Sequence, residues 1–485
     1  MIKIKNLSKI LTFTLFLNFL VLTIPTFAEE LEVHTGTLVM DEYQTFNGEV
    51  TMDNLYSNNA VDELIKTAIY NGLKNVQPTI DLSRYCMYMN NDLNMAANLF
   101  FKVLAEHPDI FYCTNSISYS YSLNYNNQIV GYSLLVKYAY DTPTINTMKV
   151  ELNDKVSYIK NNLINDSYSE LKKEFIVHDY LTQNCTYDAE NLSKNTVPAI
   201  SHTAYGALVN KVAVCDGYSK AAKLLLNECG VECGVIVSDQ MHHAWNYVKI
   251  DGEYYQLDIT WDDPVPESNR LNYSYFNLTN AEMAKSHQWV QSDYPVGTSS
   301  RFGYLRTTPS YQLTRLDDRL YYVNSKKLLS SNLEGEDIKT EVSKFTGSNL
   351  VGYDNYIYST SYTWFVPAPE PTYKISKLNL KDNTSEDVFT FDGRFSTMYL
   401  KDNKLNVEYT SNGVNSTKLI DLPEAIVKDV RDLNNDGEVD VLDLSLVASK
   451  YNLSSSDNDF KAEYDLNNNA FIDIFDLVPI SKAMQ

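Results

Sequence analysis

The chain has 485 residues, with 40 Lys and Arg against 62 Asp and Glu and a formal net charge of −22. A negative field of this size repels phosphate backbones, so nucleic acid is not expected as a partner. A single hydrophobic core stops growing well before this length, and several domains are therefore expected.

The first 28 residues have the pattern of an export signal. Three lysines precede an apolar run over residues 10–24, and the small residues that a signal peptidase reads end at Ala28. A membrane-spanning reading of the run is the alternative, but the run is shorter than the ~20 residues a spanning helix needs, and no second run follows. Cleavage after Ala28 and a soluble, secreted protein without a transmembrane segment are predicted.

Residues 29–165 predict a mixed α/β region. Apolar residues recur with helical spacing over residues 61–73 and 94–105, while residues 117–123 and 129–138 alternate as strands do. No catalytic chemistry is visible in this region. A structural or substrate-positioning role is expected.

Residue types suited to thiol catalysis follow one another in residues 166–304, hereafter the thiol segment. Cys215, His243 and Asp258 occur in that order. It is the order that a thiolate nucleophile, its imidazole base and the carboxylate that orients the base could take. The chain has no Cys-x-x-Cys pair and no His-Glu-x-x-His run, which argues against a zinc site.

The residues around this trio predict its geometry. Residues 216–226 have helical spacing and Gly230 is a plausible stop, so Cys215 should lie at a helix N-terminus, where positive partial charge favours the thiolate. Residues 245–250 and 254–259 alternate as strands around Asp251-Gly252, a strong hairpin turn signal. His243 and Asp258 are therefore expected on paired strands that face the helix end.

These motifs resemble those of the transglutaminase-like superfamily, which comprises papain-related thiol enzymes. The matching residues lie between about 171 and 264 and include Cys215-Asp216-Gly217-Tyr218, His243-Ala244-Trp245-Asn246 and Asp258-Ile259-Thr260-Trp261. The resemblance implies a papain/transglutaminase-like α+β core without a catalytic cofactor. It also implies that Cys215 is the nucleophile, His243 the general base and acid, and Asp258 the orienting carboxylate.

Three functions are compatible with the trio. The thioester on Cys215 could be resolved by water, as in a cysteine peptidase or amidase acting on peptide or side-chain amide bonds, and this outcome is favoured. It could be resolved by an amine, which would crosslink proteins as true transglutaminases do. The domain could also be a catalytically silent binding module, although retention of all three residues argues against it.

Neighbouring residues leave a few alternatives open. His242 competes with His243 as the base, but strand alternation turns adjacent side chains to opposite faces. Tyr205 is considered as a second oxyanion donor beside the backbone N–H of Cys215. The other five cysteines are odd in number, so burial as small apolar side chains is preferred to disulfides, including a conceivable Cys229–Cys233 bridge.

Residues 305–425, hereafter the β-rich region, contain a weak repeat. Turns at 317–318, 354–355 and 402–403 each lead into a predicted strand. Three repeats are too few for an ordinary closed propeller, so a β-meander or a partial propeller-like domain is predicted.

Residues 426–485, hereafter the tail, contain two acidic loops in the same register, 33 residues apart. Each has oxygen-bearing side chains at positions that bind calcium in an EF-hand loop, with position 7 filled by Glu438 or Phe471. The predicted ligands are Asp432, Asn434, Asp436, Glu438, Asp440 and Asp443 in the first loop, and Asp465, Asn467, Asn469, Phe471, Asp473 and Asp476 in the second. Ala470 stands where the tight turn of the second loop favours glycine.

The tail resembles a type I dockerin, in which each calcium loop is followed by one helix, here residues 444–450 and 477–484. The resemblance implies a small α-helical domain with two structural Ca²⁺ ions and a cohesin module of a scaffold protein as its partner. Val441-Leu442 and Ile474-Phe475 are the predicted contact pairs. A multidomain α+β protein associated with a scaffold or bacterial cell surface is therefore expected outside the cell.

Overall fold

A computed structural model describes residues 33–39, 59–263, 265, 270–365, 368–401, 404–423, 431–434, 438–457, 459–467 and 469–484. The predicted export signal at residues 1–28 lies outside these residues. Among the described residues, no helix combines the length and the apolar character required to cross a bilayer.

The described part of the N-terminal region contains three α-helices and one antiparallel sheet, and α1 and α2 contact the sheet. The sheet has the order β1-β3-β4-β2, and the predicted helices and strands of this region are all present. Their bounds are β1 Val33–Val39, α1 Asn59–Lys74, β2 Thr79–Asp81, α2 Met95–Glu106, β3 Cys113–Leu123, β4 Ile129–Tyr138 and α3 Thr142–Leu163.

The thiol segment surrounds one buried helix with other helices and a three-stranded antiparallel sheet, β7-β8-β9. Its elements are α4 Glu170–Asn184, β5 Thr186–Tyr187, α5 Ala189–Ser193, β6 Val212–Ala213, α6 Cys215–Glu228, β7 Cys233–Ser238, β8 His243–Ile250, β9 Glu253–Leu257, α7 Ile259–Asp262 and α8 Asn280–Met283. Helix α6 is followed by Gly230, and the hairpin between β8 and β9 turns at Asp251-Gly252, both with positive φ. The helix stop and the hairpin turn predicted from the sequence are confirmed.

The β-rich region forms three successive antiparallel meanders of four, four and three strands. The strands are β10 Leu313–Leu316, β11 Arg319–Asn324, β12 Lys327–Asn332, β13 Lys339–Val342, β14 Ser348–Tyr353, β15 Tyr356–Thr363, β16 Thr372–Asn379, β17 Ser385–Asp392, β18 Arg394–Lys401, β19 Lys404–Ser411 and β20 Val414–Asp421. Over the described residues these sheets form neither a closed barrel nor a closed propeller. The likeness to part of a propeller stays a prediction.

The described residues of the tail contain two α-helices, α9 Val441–Ser449 and α10 Ile474–Ala483. Both begin three residues before the predicted start. Each is preceded by an aspartate that accepts a backbone N–H of the first turn, and each aspartate takes part in a capping box with the acid three residues later. These caps start the helices inside the predicted loops. Residues 462–464 form a further short 3₁₀ helix.

One hydrophobic cluster extends from the N-terminal region through the thiol segment into the β-rich region. It includes Leu313 and Leu320 of the first meander together with Phe175 and Phe276 of the thiol segment. The hydrophobic core therefore continues across the boundary that the sequence places between residues 304 and 305. That boundary, like the other domain limits, stays a prediction.

A buried ionic chain crosses the same boundary. Arg315 of β10 donates from Nε to Oδ2 of Asp179 at 2.6 Å, and Tyr273 donates to Oδ1 of the same carboxylate at 2.9 Å. His178 lies 3.0 Å from Asp179 through Nδ1 and 3.3 Å from Asp262 through Nε2. Burial lowers the pKa of His178, but its hydrogen bonds and the two carboxylates raise it to about 9. An imidazolium therefore links α4 to α7.

Replacing Arg315 with methionine removes the cation that compensates Asp179. We expect Arg315→Met to lower the free energy of unfolding of the core by about 3 kcal/mol, at the low end of the cost of breaking a buried pair, because His178 and Tyr273 still bind the carboxylate. Urea denaturation followed by tryptophan fluorescence measures the change. Lys374→Met is the control, because Lys374 and Asp387 are both nearly half exposed and their pair should contribute less than about 1 kcal/mol. Equal losses from both variants would contradict the assigned role of Arg315.

Candidate functional site

Cys215 is the first residue of α6 and only 7 % of its surface is exposed. Val214, the residue before the helix, has an extended backbone and donates its N–H to the carbonyl of Ser201 at 3.0 Å. The helix N-terminus places positive partial charge next to Sγ. The predicted location of Cys215 at a helix start is confirmed, and this location favours a thiolate.

Gly217 allows the preceding chain to pass close to α6. A Cβ on Gly217 would lie 2.4 Å from the carbonyl oxygen of Ser201, nearer than real contacts permit. Because the obstacle is backbone, any larger residue would displace the segment that receives the N–H of Val214. The glycine of the Cys-Asp-Gly-Tyr motif thus serves the geometry of the cysteine.

His243 is the first residue of β8 and connects Cys215 to Asp258. Its Nε2 lies 2.7 Å from Oδ2 of Asp258, and Cys215 is the second side chain that interacts with the ring. Since Nε2 is committed to the carboxylate, Nδ1 is the ring nitrogen available to Sγ. Burial lowers the pKa of His243, but the hydrogen bonds and charges of Asp258 and Cys215 raise it to about 10. The ring of His243 is therefore protonated at neutral pH.

Asp258 lies directly after β9, as the N-terminal cap of α7 rather than on the strand itself. It is fully buried, and its Oδ1 accepts the backbone N–H of Trp261 at 3.1 Å. Burial raises the pKa of this carboxyl, but hydrogen bonds to two imidazoles, those of His243 and His287, outweigh it and hold the pKa below its usual range. The carboxylate is thus ionised beside His243.

His287 is the site residue that the sequence did not reveal. Its Nε2 lies 2.9 Å from Oδ2 of Asp258, the same oxygen that binds His243, and its ring is almost completely buried. It follows the short helix α8 by a few residues. It belongs to none of the recognised motifs, and one sequence offers no spacing rule that would have singled it out.

The motif residues beside the trio fix the relative positions of α6, β8 and β9. Asn246 donates from its side chain to the carbonyls of Ser219 on α6 and Gly234 on β7, at 2.9 and 3.0 Å. Trp245 is buried and donates its indole N–H to Gln256 at 2.8 Å. These contacts lock the strand that presents His243 onto the helix that presents Cys215.

Two neighbours considered as site residues have other surroundings. His242 is exposed and has a positive φ of 49° at the turn before β8, whereas the side chain of His243 is only 9 % exposed. The phenol of Tyr205 donates to the carboxylate of Glu151 on α3, and its ring stacks on Phe111. The hydroxyl of Tyr205 is therefore engaged away from an oxyanion on Cys215.

The other cysteines differ from Cys215 in their surroundings. All six cysteines are free thiols, Cys229 and Cys233 among them, and all but Cys113 are buried. Burial raises the pKa of Cys86, Cys113, Cys229 and Cys233, in the case of Cys113 to about 12. These four thiols stay protonated and unreactive at neutral pH.

His243, Asp258 and His287 have ligand atoms within 4.8 Å of one another, the span of a metal-binding set. The Nε2 atoms of His243 and His287 both already lie within hydrogen-bond distance of Oδ2 of Asp258. A metal at 2.0–2.2 Å from each atom would have to replace both N–H···O bonds. The geometry fits shared protons better than an ion.

In each tail loop, the carboxylate of the last predicted ligand accepts hydrogen bonds from backbone N–H groups of the same loop. Asp443 accepts the N–H groups of Leu433 and Asn434 through Oδ1, and Asp476 accepts the N–H of Asn467 in the same way. Both acids are fully buried. Asp436, one of the predicted ligands, lies outside the described residues.

The second loop shows the charge that a cation would compensate. Burial raises the pKa of Asp476, and the nearby carboxylates of Asp465 and Asp473 raise it further, although backbone N–H groups oppose them. Ala470 has a φ of 68°, the left-handed conformation expected of glycine at this turn. Clustered, partly buried carboxylates of this kind fit a hard divalent cation such as Ca²⁺.

The predicted contact pairs of the tail are exposed. Val441 and Leu442 are 59 % and 54 % exposed, and Ile474 and Phe475 are 51 % and 66 % exposed. Each pair opens the first turn of its helix, while Val447 and Ile480 further along are fully buried. The two halves thus present similar apolar side chains at equivalent positions.

Comparisons with known proteins agree with this organisation. Residues 158–259 match the family model of the transglutaminase-like superfamily, and residues 430–485 match that of the dockerin type I domain. The two matches agree with the architecture predicted from the sequence, a transglutaminase-like domain followed by a type I dockerin domain. Type I dockerin domains bind calcium, which agrees with the carboxylates of the tail.

Individual relatives share only part of the chain. Kyphoscoliosis peptidase of Mus musculus is 21 % identical over 217 residues, covering 41 % of this chain and 31 % of the mouse protein. The protein of the same name from Homo sapiens is 20 % identical over the same shares. The chain thus spans less than a third of the length of these relatives. A solved structure described as a TGase is 18 % identical, with a TM-score of 0.21. The match covers 27 % of this chain and 41 % of the chain in that structure.

The raised pKa of His243 predicts how the pair responds to alkaline pH. Because this pKa is about 10, above the ordinary 6.5, the stability that the protonated ring contributes is complete below pH 6.5 and is lost as pH rises through about 10. We expect the urea midpoint of the wild type to exceed that of His243→Gln at pH 6 and to approach it above pH 10. A difference that grows with pH would contradict the assignment of an imidazolium.

Proposed function

We propose that this protein is a secreted thiol enzyme that hydrolyses peptide or side-chain amide bonds while docked on a cohesin-bearing scaffold. The observation that carries the catalytic part is the continuous contact from Cys215 at the start of α6 through His243 to the buried Asp258, with the His–Asp distance at 2.7 Å. The proposed nucleophile, proton carrier and orienting anion thus lie in the order that covalent catalysis requires.

The proposed reaction begins with the thiolate of Cys215. Sγ attacks the carbonyl carbon of the amide, and the carbonyl π electrons move onto oxygen, where the backbone N–H at the start of α6 is one available donor. The oxyanion collapses, the C–N bond breaks, and His243 gives its Nδ1 proton to the leaving amine. Water then attacks the thioester while His243 takes its proton, which releases the carboxylic acid and restores the ion pair.

Asp258 supports both the formation and the hydrolysis of the thioester by fixing the orientation of the His243 ring. Its hydrogen bond to Nε2 leaves Nδ1 free to exchange a proton with the nucleophile and the leaving group. Trp261 is 39 % exposed, and its ring centroid lies 5.7 Å from that of His243.

Hydrolysis is favoured over amine transfer as the fate of the thioester. The curated relatives are named peptidases, and their similarity supports a hydrolytic reaction for this chain as well. Protein or peptide is accordingly the proposed substrate class. Transfer to an amine, giving a crosslink, is the outcome that would replace hydrolysis.

Docking through the tail is the second part of the proposal. The dockerin match implies a cohesin partner and an extracellular, cellulosome-type setting. We place one structural Ca²⁺ in each loop, with Asp443 and Asp476 closing them. The exposed pairs Val441-Leu442 and Ile474-Phe475 form the proposed contact surface, because exposed apolar side chains grouped together mark interaction sites.

The catalytic proposal is tested by incubating the protein with an isotope-labelled glutaminyl peptide, with and without an amine, followed by mass spectrometry. We expect hydrolysis of peptide or side-chain amide bonds by the wild type and none by Cys215→Ala or His243→Ala. Asp258→Asn should be slower by roughly 10²- to 10⁴-fold, because the imidazole loses its orientation.

Cys229→Ala and His242→Ala are the matched controls, and both should remain active. Turnover by Cys215→Ala would remove the basis of the assignment. An amine adduct in place of the hydrolysed product would identify acyl transfer, and unmodified peptide with the wild type in all arms would favour a binding module.

The docking proposal is tested by calorimetric titration of the full chain with a recombinant type I cohesin in calcium. Introducing Asp in place of one apolar pair should weaken binding modestly, since the other half can still dock, and replacing both pairs should abolish it. Chelating the calcium should also abolish binding, because clustered carboxylates repel one another without a cation. Complete loss from the first replacement would indicate a single docking mode, and no loss from the double replacement would place the interface elsewhere.

A further inference from the structure

We propose that His287 is a positioning residue of the thiol site, which holds Asp258 in the orientation that keeps His243 paired with Cys215. The inference rests on the proposed thiol chemistry and extends it to a residue outside the recognised motifs. It starts from one observation: two imidazoles meet a single carboxylate oxygen, Oδ2 of Asp258, at 2.7 and 2.9 Å.

The carboxylate of Asp258 is held at three points. Oδ1 accepts the backbone N–H of Trp261, while Oδ2 accepts from His243 and His287. If the hydrogen bond from the backbone N–H of Trp261 were the only other contact, rotation about the Cβ–Cγ bond of Asp258 could move Oδ2 away from His243. The second imidazole, which approaches Oδ2 from another direction, opposes this rotation.

His287 is itself fixed in place. Its backbone N–H donates to the carbonyl of Met283 at 2.9 Å, and its Nδ1 lies 2.9 Å from the hydroxyl of Ser286. Its ring packs against three aromatic rings, with centroids 4.9 Å from Trp245, 4.3 Å from Trp261 and 5.5 Å from Tyr275. The ring therefore has no room to turn, and its Nε2–H stays directed at the carboxylate.

The chemistry of the acceptor assigns the protons. An ionised carboxylate can only accept, so Nε2 of His287 must carry a hydrogen. His287 therefore supplies Oδ2 with a second N–H donor beside that of His243.

The surroundings make this second donor necessary. Asp258 is fully buried, and His287 is one of the two side chains that donate to its Oδ2. Without His287, Oδ2 would lose one of its two donors inside the core, which costs a buried anion much of its stability. The ionised state and the orientation of Asp258 would both weaken, and the imidazolium of His243 would lose part of its stabilisation.

The test compares two replacements of His287 with Cys215 as the reporter. In His287→Gln, the amide N–H can reach the position of Nε2 and donate to Oδ2, whereas His287→Leu has a similar size and no donor. The rate of alkylation of Cys215 by iodoacetamide, followed by peptide mass spectrometry across pH, reports the thiolate. The titratable groups that bear on the profile are Cys215, His243 and Asp258, with Tyr275 beside the ring of His287.

We expect the acid limb of the alkylation profile to move to higher pH by about one unit in His287→Leu, so that the rate on that limb falls about tenfold. In His287→Gln the limb should remain near that of the wild type. A residue that only fills space would lower the melting temperature of both variants without moving the limb. An unmoved limb in His287→Leu, or equal shifts in both variants, would overturn the proposal.

Two further measurements keep the result decisive. If His287→Leu does not fold, Ser286→Ala removes the partner of Nδ1 at little change in volume, and a smaller shift in the same direction supports the proposal while a wild-type limb overturns it. Alkylation of the wild type tests the underlying function separately. If Cys215 reacts no faster than the other cysteines, the thiol chemistry itself is wrong, whereas a reactive wild type with an unchanged His287→Leu profile refutes only the role of His287.

Discussion

The buried carboxylate of Asp258 is the group on which the site depends. It has no access to water, and its charge is stabilised by one backbone N–H and two imidazoles. An anion in such a place is stable only while its donors are in position. The hairpin that delivers His243, the short helix α7 that caps on Asp258 and the segment that delivers His287 must therefore fold together. This shared requirement makes the arrangement around Cys215 rigid before any substrate arrives.

A second buried ionic system extends this constraint to the β-rich region. Asp262 is the last residue of α7, four residues after Asp258, and forms a hydrogen bond with His178. His178 also forms a hydrogen bond with Asp179, and Asp179 accepts one from Arg315 of β10. Burial raises the pKa of Asp262 to about 6, with His178 opposing the shift, so this acid is mainly ionised at neutral pH. The first meander is thus tied by charge and by apolar packing to the helix that begins at Asp258. This connection holds the first meander against the thiol segment.

The sequence predicted what local rules determine. Helical spacing and Gly230 located α6, the Asp251-Gly252 turn located the β8–β9 hairpin, and three motifs identified the residues that the structure brings into contact. It did not predict His287 or the partnership of Arg315 with Asp179, because these contacts join positions that are far apart in the chain and carry no spacing signal. The tail helices begin three residues earlier than predicted for a different reason: Asp440 and Asp473, which the loop pattern predicts as metal ligands, also cap the helices.

The central claim is that His243 is held as an imidazolium between Cys215 and Asp258. Nuclear magnetic resonance of the protein labelled with ¹⁵N in its histidine rings tests this directly, with His243→Gln used to assign the signal. The account predicts that both ring nitrogens of His243 carry protons at pH 7 to 8 and that one proton is lost near pH 10, where the pKa of this ring lies. A neutral ring at pH 7, with one nitrogen already unprotonated, would contradict it.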